Sequence, residues 1–281
     1  MGVLLIGDVG GTSSRWALLG DGDPVMLHAG DPWPGYNAAA GDPTALVQRL
    51  RAAVAEVGPV ERVLVHAAGC GTRERAERFA TGLRTALPAA VVKVEGDLLG
   101  AARSVWGSSP GLVLIVGTGM NAARYDGERL VSGIPSLGYI LGDEGSGADI
   151  GRALLRDALR GRMPAVVQAA VFGDGPVLAE VIDRVYLRPG AAAFIAAQVK
   201  RLSAVRDEPY VQDLLSDRFR ALAAEVARAL GPGELHAVGS VAAGFQRELA
   251  AALQAHGLIL ERAVADPLPG LITYVRAGGP R

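Results

Sequence analysis

The chain has 281 residues, 50% hydrophobic and 20% charged, with a formal net charge of -1. That length admits one large domain or two of ordinary size with a sizeable core, and the near-neutral charge excludes the basic footprint of a nucleic-acid or anionic-membrane binder. The single cysteine, Cys70, excludes internal disulfides and any cysteine-built zinc or iron–sulfur site within one chain.

No apolar run reaches the roughly 18 residues of a spanning helix. The opening MGVLLIGDVGG has no basic stretch ahead of its apolar run, so it does not read as a signal peptide and a cytoplasmic protein is expected. Val3 to Gly7 reads as a fully buried strand and Asp8-Val9-Gly10-Gly11-Thr12 as a turn. Ser14 to Leu19 and Val25 to Ala29 are two more strands around a turn at Gly20 to Pro24. Trp33 to Asn37 is a loop. Asp42-Pro43 carries the start chemistry of a helix whose stripe is Leu46, Val47, Leu50, Val54 and Val57. Arg62 to Ala67 is a strand ending in Gly69-Cys70-Gly71, and Arg73 to Leu87 a helix stopped by Pro88. Val91 to Val94 is a short strand ending at Glu95-Gly96-Asp97, and Leu98 to Trp106 a helix. Gly107 to Gly111 is the best linker in the chain, so domains of 1–108 and 109–281 are expected.

The second half opens by repeating the first. Leu112 to Val116 is a β run into Gly117-Thr118-Gly119, followed by a strand from Asn121 to Tyr125 and a turn at Asp126-Gly127. Arg15 and Arg124 occupy the second strand of each meander. Two copies of one unit argue for two similar domains. Then GYILGDEGSG sets Asp143 and Glu144 among four glycines, ahead of a helical pattern from Ala148. The chain is mostly helical to Leu230, with breaks at Gly161, Gly173 to Gly175 and Pro189-Gly190. Its clearest stripe is Leu215, Phe219, Leu222, Val226 and Leu230. Glu234 to Val238 is a strand into Gly239-Ser240, Val241 to His256 a helix, Leu258 to Val264 a strand, and Asp266 to Gly270 the start of a last short helix.

Small residues on both sides of Thr118 let backbone N–H groups approach an anion closely, with the hydroxyl placed to donate as well. The series Asp8-x-Gly10-Gly11-Thr12, Gly117-Thr118-Gly119 and Gly239-Ser240 resembles the sugar kinase, actin and Hsp70 ATPase superfamily over essentially the whole chain. The segment GYILGDEGSGADIGR resembles its N-acetylglucosamine kinase branch, grouped with the BadF/BadG/BcrA/BcrD-type ATPases. GDVGGTSSR is similar to bacterial glucokinases as well, but GDEGSG argues against those as the nearer relatives.

The resemblance implies an α/β fold of two RNase H-like domains with a central nucleotide and sugar cleft. It implies ATP phosphates at Gly10, Gly11, Thr12, Gly117, Thr118 and Gly119, adenosine at Gly239 and Ser240, and Mg²⁺ held through water by Asp8. Asp97 would be the base that takes the proton of the sugar hydroxyl. Asn37, Gly69, Cys70, Gly71, Asp97, Asp143 and Glu144 would line the sugar. Val9 departs from the Gly or Ser often found at its place.

Read from the residues alone, each has a plainer role. Asp8 could cap its own turn, Asp97 the following helix, and Asn37 could serve local turn chemistry. Cys70 could be a small buried filler and His66 a core residue. Glu95 is the rival base, and one of Asp143 and Glu144 could instead hold a water on Mg²⁺. His28, His236 and His256 offer no metal-site spacing.

The implied activity is ATP-dependent phosphorylation of an amino sugar, N-acetylglucosamine at the 6-hydroxyl, with glucosamine, N-acetylmuramic acid or glucose as alternatives. The Cys-rich zinc motif of repressor-related glucose kinases is absent. A BadF-type ATPase activator, a different class, needs two cysteines per chain for its bridging iron–sulfur cluster. A nucleotide-dependent module without transferase activity is disfavoured by Asp8 and Asp97. A homodimer with a small-molecule sugar substrate and no nucleic-acid or membrane partner is expected.

Overall fold

A computed structural model of the chain describes residues 2–27, 32–39, 41–55, 57 and 59–279. They form two compact units, one of Met1–Pro110, Gly127–Arg129 and Pro267–Arg281, the other of Gly111–Asp126 and Leu130–Asp266.

In chain order the elements are β1 (Val3–Val9), β2 (Ser13–Leu19), β3 (Val25–Met26), β4 (Trp33–Pro34), α1 (Thr44–Ala55), β5 (Val60–Ala67), α2 (Arg73–Ala86), β6 (Val91–Gly96) and α3 (Asp97–Trp106). Next come β7 (Gly111–Val116), β8 (Met120–Tyr125), β9 (Leu130–Gly133), α4 (Gly138–Leu141), α5 (Gly147–Leu159), α6 (Ala165–Phe172) and α7 (Leu178–Ile182). A π-helical turn (Asp183–Leu187), α8 (Ala191–Ala197), a 3-10 stretch (Gln198–Val205) and α9 (Pro209–Leu230) complete the helical region. The chain ends with β10 (Gly233–Val238), α10 (Ser240–Gly244), α11 (Gln246–Gln254), β11 (Leu258–Val264) and α12 (Leu268–Arg276). Among the described residues, no helix is long and apolar enough to cross a membrane.

The two sheets share one topology. The first runs β3-β2-β1-β5-β6, with β4 on β2, and the second β9-β8-β7-β10-β11. In each, an antiparallel meander is extended by two parallel strands on the far side of its first strand. The repeat read from the Gly/Thr turns is thus a repeated sheet, α/β in class.

A strand covered on both faces needs an unbroken apolar run, and β1 supplies one from Val3 to Ile6. Leu5 and Val9 face a core with Trp16, Val63, Val65, Leu50, Phe79 and Leu83. Leu4 and Ile6 face the other way, onto Leu268, Leu271, Ile272 and Val275 of α12. Gly7 lies opposite Trp16 in the register, where a Cβ would overlap the indole ring. In the second unit, β7 and β10 bury Leu112, Leu114, Val116, Leu235 and Ala237. Their partners are Ile150 and Leu154 of α5 and the Leu215–Phe219–Leu222–Val226 stripe of α9.

Some expectations need correction. The segment from Pro267, expected in the second domain, belongs to the first unit, because its stripe covers the exposed face of β1 and β2. The helix expected from Val241 to His256 breaks at Phe245. There Arg206 donates to the Gly244 carbonyl at 2.6 Å and lies over the buried Phe245 ring at 5.5 Å. Trp33–Pro34, expected as loop, forms a short strand on β2, with Ser14 Oγ donating to the Pro34 carbonyl at 2.9 Å. Of the third strand, Val25–Met26 is present, while His28 and Ala29 lie outside the described residues.

Helix α5 packs so close to α8 that a Cβ on Gly151 would overlap the Ile195 carbonyl. In an exposed helix, Gly→Ala stabilises by about 1 kcal/mol. Gly151→Ala is expected to destabilise instead, by about 1–3 kcal/mol, as overpacked cores do. Thermal melts check the sign, with Gly20→Ala, where a Cβ meets nothing within 4 Å, as the control.

Candidate functional site

Parallel strands deliver their loops to one edge of a sheet. In the first unit β1, β5 and β6 run parallel, so the turn after Val9, the turn after Ala67 and the start of α3 share the carboxyl edge. Backbone hydrogen bonds weave these loops together. Ala68 donates to Val9 O at 2.7 Å, Tyr36 to Gly10 O at 3.0 Å, Gly35 to Thr12 O at 2.9 Å and Ala38 to Ala68 O at 3.0 Å. The weave is tight enough that a Cβ on Gly35 would overlap the Gly10 carbonyl. Gly69 has φ +74°, and a Cβ there would overlap Asn37 Oδ1.

Asn37 Oδ1 accepts from the Ala39 amide at 2.9 Å, which sets the side chain. A Cβ on Gly11 would lie 3.9 Å from its Nδ2. A Cβ on Gly96 would come within 3.6 Å of Gly71. Gly10, Gly11, Thr12, Asn37, Gly69, Cys70, Gly71 and Asp97 therefore lie along one edge, with Asp8 at the end of β1 beside them. Arg78 of α2 donates to Ala38 O at 2.8 Å and pins the Asn37 loop, a contact between residues 40 apart that no local pattern marks.

Asp97 is the first residue of α3, and the cap position belongs to Gly96. Its half-buried carboxylate accepts from the Leu98 amide at 3.0 Å. Burial pushes this carboxyl above the ordinary carboxylate range, against backbone hydrogen bonds from Leu98 and from Asp97 itself. Its neighbour Cys70 is buried, and its thiol is pushed up to about 11, first by burial and then by the charge of Asp97.

Glu95 is a different carboxylate. Burial would raise it, but hydrogen bonds with His66 and Arg103 win and hold it at about 2. Arg103 Nη1 is bonded to Glu95 Oε2 and sits 3.1 Å from His66 Nε2, and Lys93 Nζ lies 3.3 Å from Glu95 Oε1. His66, expected as a core residue, is fully buried but belongs to this ionic cluster. Burial keeps its ring neutral below the usual range, and Nδ1 has no hydrogen-bond partner among the described residues.

In the second unit the turn after β7 meets α5. Gly147 N donates to Gly117 O at 2.8 Å and Ala148 N to Thr118 O at 3.0 Å. The first amides of a helix lack intrahelical partners, and here the hairpin carbonyls take them. In a trans peptide the C=O and the next N–H point opposite ways. The N–H groups of Thr118 and Gly119 are therefore turned away from α5, as an anion-binding turn requires. Ser146 caps α5 by accepting from Asp149 N at 3.2 Å, and Gly145 N donates to Asp149 Oδ2 at 3.1 Å.

Asp143 sits at φ +60°, the only described non-glycine residue with positive φ. Its carboxylate accepts from the Met120 amide and lies against Gly119. Burial raises its pKa, opposed by that hydrogen bond and reinforced by the charges of Glu144 and Asp149. Glu144 is half-buried on the same segment. Gly239, at φ +123°, presses on the Val116 carbonyl and the Gly117 amide, and Ser240 begins α10, exposed beside it. This unit thus gathers Gly117, Thr118, Gly119, Asp143, Gly239 and Ser240. The part played by α5 went unread, because GDEGSG shows its glycines in sequence but not what they approach.

Among the described residues, no group of three or more His, Cys, Asp or Glu side chains gathers to hold a metal. Asp8 alone fits a different donor set, that of Mg²⁺, which takes one or two carboxylates plus phosphate oxygens and water. A cavity of about 270 Å³ lined by Arg51, Val54, Val60 and Leu87 opens at the start of β5, away from these loops.

No protein-family profile matches the sequence, and no curated protein does. A Porphyromonas gingivalis structure described as a "Putative N-acetylglucosamine Kinase" matches over 98% of this chain and 99% of its own, with 31% identity and a TM-score of 0.85. The chain belongs to this family of actin-like ATPase-fold sugar kinases. A Chromobacterium violaceum structure of the same description matches this sugar kinase at 22% identity and TM-score 0.63, over 98% and 99% of the two chains. A "putative sugar kinase" of Cytophaga hutchinsonii does so at 16% identity and TM-score 0.56, over 98% and 100%. These two share its fold.

The carboxylates set a pH test. A folded-state pKa raised above the unfolded value means stability that is full below the unfolded pKa and lost as pH rises through the folded one. Ionised Asp97 thus destabilises the native state at neutral pH. Asp97→Asn is expected to raise the melting temperature at pH 7 and to lose that advantage in acid. Glu95 has the opposite sign, so its stabilisation is full above the unfolded value and lost only as pH falls toward about 2. Carboxyl-carbon NMR titration should find Asp97 and Asp143 above the ordinary range and Glu95 below it.

Proposed function

We propose that the protein transfers the terminal phosphoryl group of ATP to the 6-hydroxyl of N-acetylglucosamine. The observation that carries this reading is Asp97. It is a half-buried carboxyl of raised pKa at the edge where the Gly10–Thr12, Asn37 and Gly69–Gly71 loops converge. A base works best with a pKa near the operating pH. Glu95, held at about 2 by its hydrogen bonds with His66 and Arg103, would be a poor proton acceptor. The amino-sugar assignment is supported by the two similar structures described as N-acetylglucosamine kinases and by GDEGSG.

In this reading Asp97 accepts the proton of the sugar hydroxyl as it attacks, and Asn37 and the Gly69–Gly71 turn orient the ring. Asp143 and Glu144, as carboxylates, suit vicinal hydroxyls or the acetamide side. The Gly10–Thr12 and Gly117–Gly119 turns receive the phosphates, and Gly239-Ser240 the adenosine. When bound, Mg²⁺ neutralises charge on the phosphate oxygens, with Asp8 holding it through water. Catalysis then rests on positioning and electrostatics.

Glucosamine, N-acetylmuramic acid and glucose are the rival substrates. The lone cysteine leaves an iron–sulfur-bridged ATPase activator without its ligands. A homodimer belongs to the same proposal. An exposed apolar run on the second unit, Val177, Leu178, Ile182, Tyr186 and Leu187, supports it, and sedimentation tests it.

An ATP-to-ADP coupled assay over a sugar panel should show N-acetylglucosamine turned over at least as efficiently as glucose. A clear glucose preference would overturn the amino-sugar reading. Asp97→Asn should lower turnover by roughly two to four orders of magnitude, the usual worth of a positioned base. Sugar affinity without ATP should hold, because the lost interaction matters in the transition state. Gly119→Val should raise the apparent ATP constant sharply, since its side chain would intrude on both the phosphates and Asp143.

A further inference from the structure

The strand β6 passes into α3 without a loop. Gly96 ends one and Asp97 begins the other. The hydrogen bonds that hold the Asp97 carboxylate come from its own amide and from that of Leu98. Both belong to α3, so the carboxylate points wherever the helix points. A slide or tilt of α3 moves the base with it.

Helix α3 is tied to the sheet by an ionic cluster. Arg103, six residues further along α3, is 4% exposed and bonded to Glu95 on β6, with its Nη1 3.1 Å from His66 Nε2 on β5. His66 and Glu95 are register partners on neighbouring strands, so the guanidinium spans two strands at once. Gly100, between Asp97 and Arg103 on the helix, lets α3 seat on His66, whose ring a Cβ there would crowd. Tyr274 of α12 lies 5.5 Å under the guanidinium.

Packed hydrocarbon in place of the whole cluster would hold the helix down as well, since buried ion pairs seldom add net stability over hydrocarbon, whereas removing Arg103 alone leaves Glu95 buried without its guanidinium. What hydrocarbon does not supply is direction. We propose that Arg103, Glu95 and His66 are positioning residues that aim Asp97, an inference that rests on Asp97 being the base.

The test compares Glu95→Gln and Arg103→Met with Asp97→Asn, assayed well below each melting temperature. Misplacing a reacting group by about 1 Å costs up to roughly a hundredfold in rate. Both cluster variants should lose about ten- to a hundredfold in kcat on that scale, with the sugar KM little changed. The single cysteine gives a readout free of activity. Its thiol, pushed up to about 11 by burial and then by Asp97, is opposed by Arg75 and Arg78. The midpoint of the Cys70 Cβ resonance in an NMR pH titration should move down in Asp97→Asn, and in the same direction in both cluster variants as Asp97 shifts away.

An unchanged kcat in folded Glu95→Gln, or an unmoved thiol titration with kcat and KM falling together, would reduce the cluster to plain structure. Should Arg103→Met fail to fold, Glu95→Gln, which keeps the shape and an acceptor for Arg103, decides alone. If Asp97→Asn keeps parental turnover, the base reading falls by that result, while the thiol titration still reports whether the cluster aims this side chain.

Discussion

Every strand that ends at the carboxyl edge of a sheet leaves backbone polar groups that must be paired in very little space. In this protein the pairing is done mostly by backbone. Val9, Gly10, Thr12 and Ala68 offer carbonyls that the amides of Ala68, Tyr36, Gly35 and Ala38 take up. In the second unit the amides of Gly147 and Ala148 take the carbonyls of Gly117 and Thr118. A buried backbone group left unpaired costs about as much as a lost hydrogen bond. The loops are thereby tied to one another rather than to solvent, and side chains such as Asn37 and Asp97 sit on a rigid base. Within these loops a Cβ would find no room at Gly35, Gly69 and Gly239.

Each unit holds a carboxylate under electrostatic tension. Asp97 and Asp143 are both raised by burial, and Asp143 also sits in a left-handed conformation that costs a non-glycine residue of order 1–3 kcal/mol. Neither is what a sequence optimised for stability alone would choose. Strained and desolvated carboxylates cluster at functional sites in general, which is the reason to propose roles for both. The nearby Glu95 shows the contrast. Equally acidic by type and two residues away, it is neutralised by Arg103 and Lys93 and hydrogen-bonded with His66, so its charge is spent on the protein itself. Two carboxylates with opposite shifts thus stand two residues apart, and Asp97 is the one whose raised pKa suits the proposed base.

The repeated meander, the α/β class and most strands were legible because both rest on local signals. A buried parallel strand must be apolar throughout, and a tight turn must carry glycine. Asp8, Gly10 to Thr12, Gly117 to Gly119 and Gly239 declared themselves by glycine next to a β run. Asp97 was legible as a carboxylate at a strand-to-helix junction, while its rival Glu95 looked the same. Arg103 and His66 were not legible as partners, since they lie 37 residues apart in the chain and meet only through the register of β5, β6 and α3.

The sequence by itself determined the elements, their order and the glycine turns, because propensity, periodicity and φ > 0 are properties of a few neighbouring residues. Tertiary structure alone decided three things. It put the stripe of α12 on β1 and β2 of the first unit, since amphipathicity says that a face is buried and not against what. It turned the GDEGSG segment into the seat of the Gly117–Gly119 hairpin, through amides of Gly147 and Ala148 that carry no side-chain signature. And it separated Asp97 from Glu95, because a pKa is set by burial and by charges brought from distant parts of the chain, and only folding brings them there.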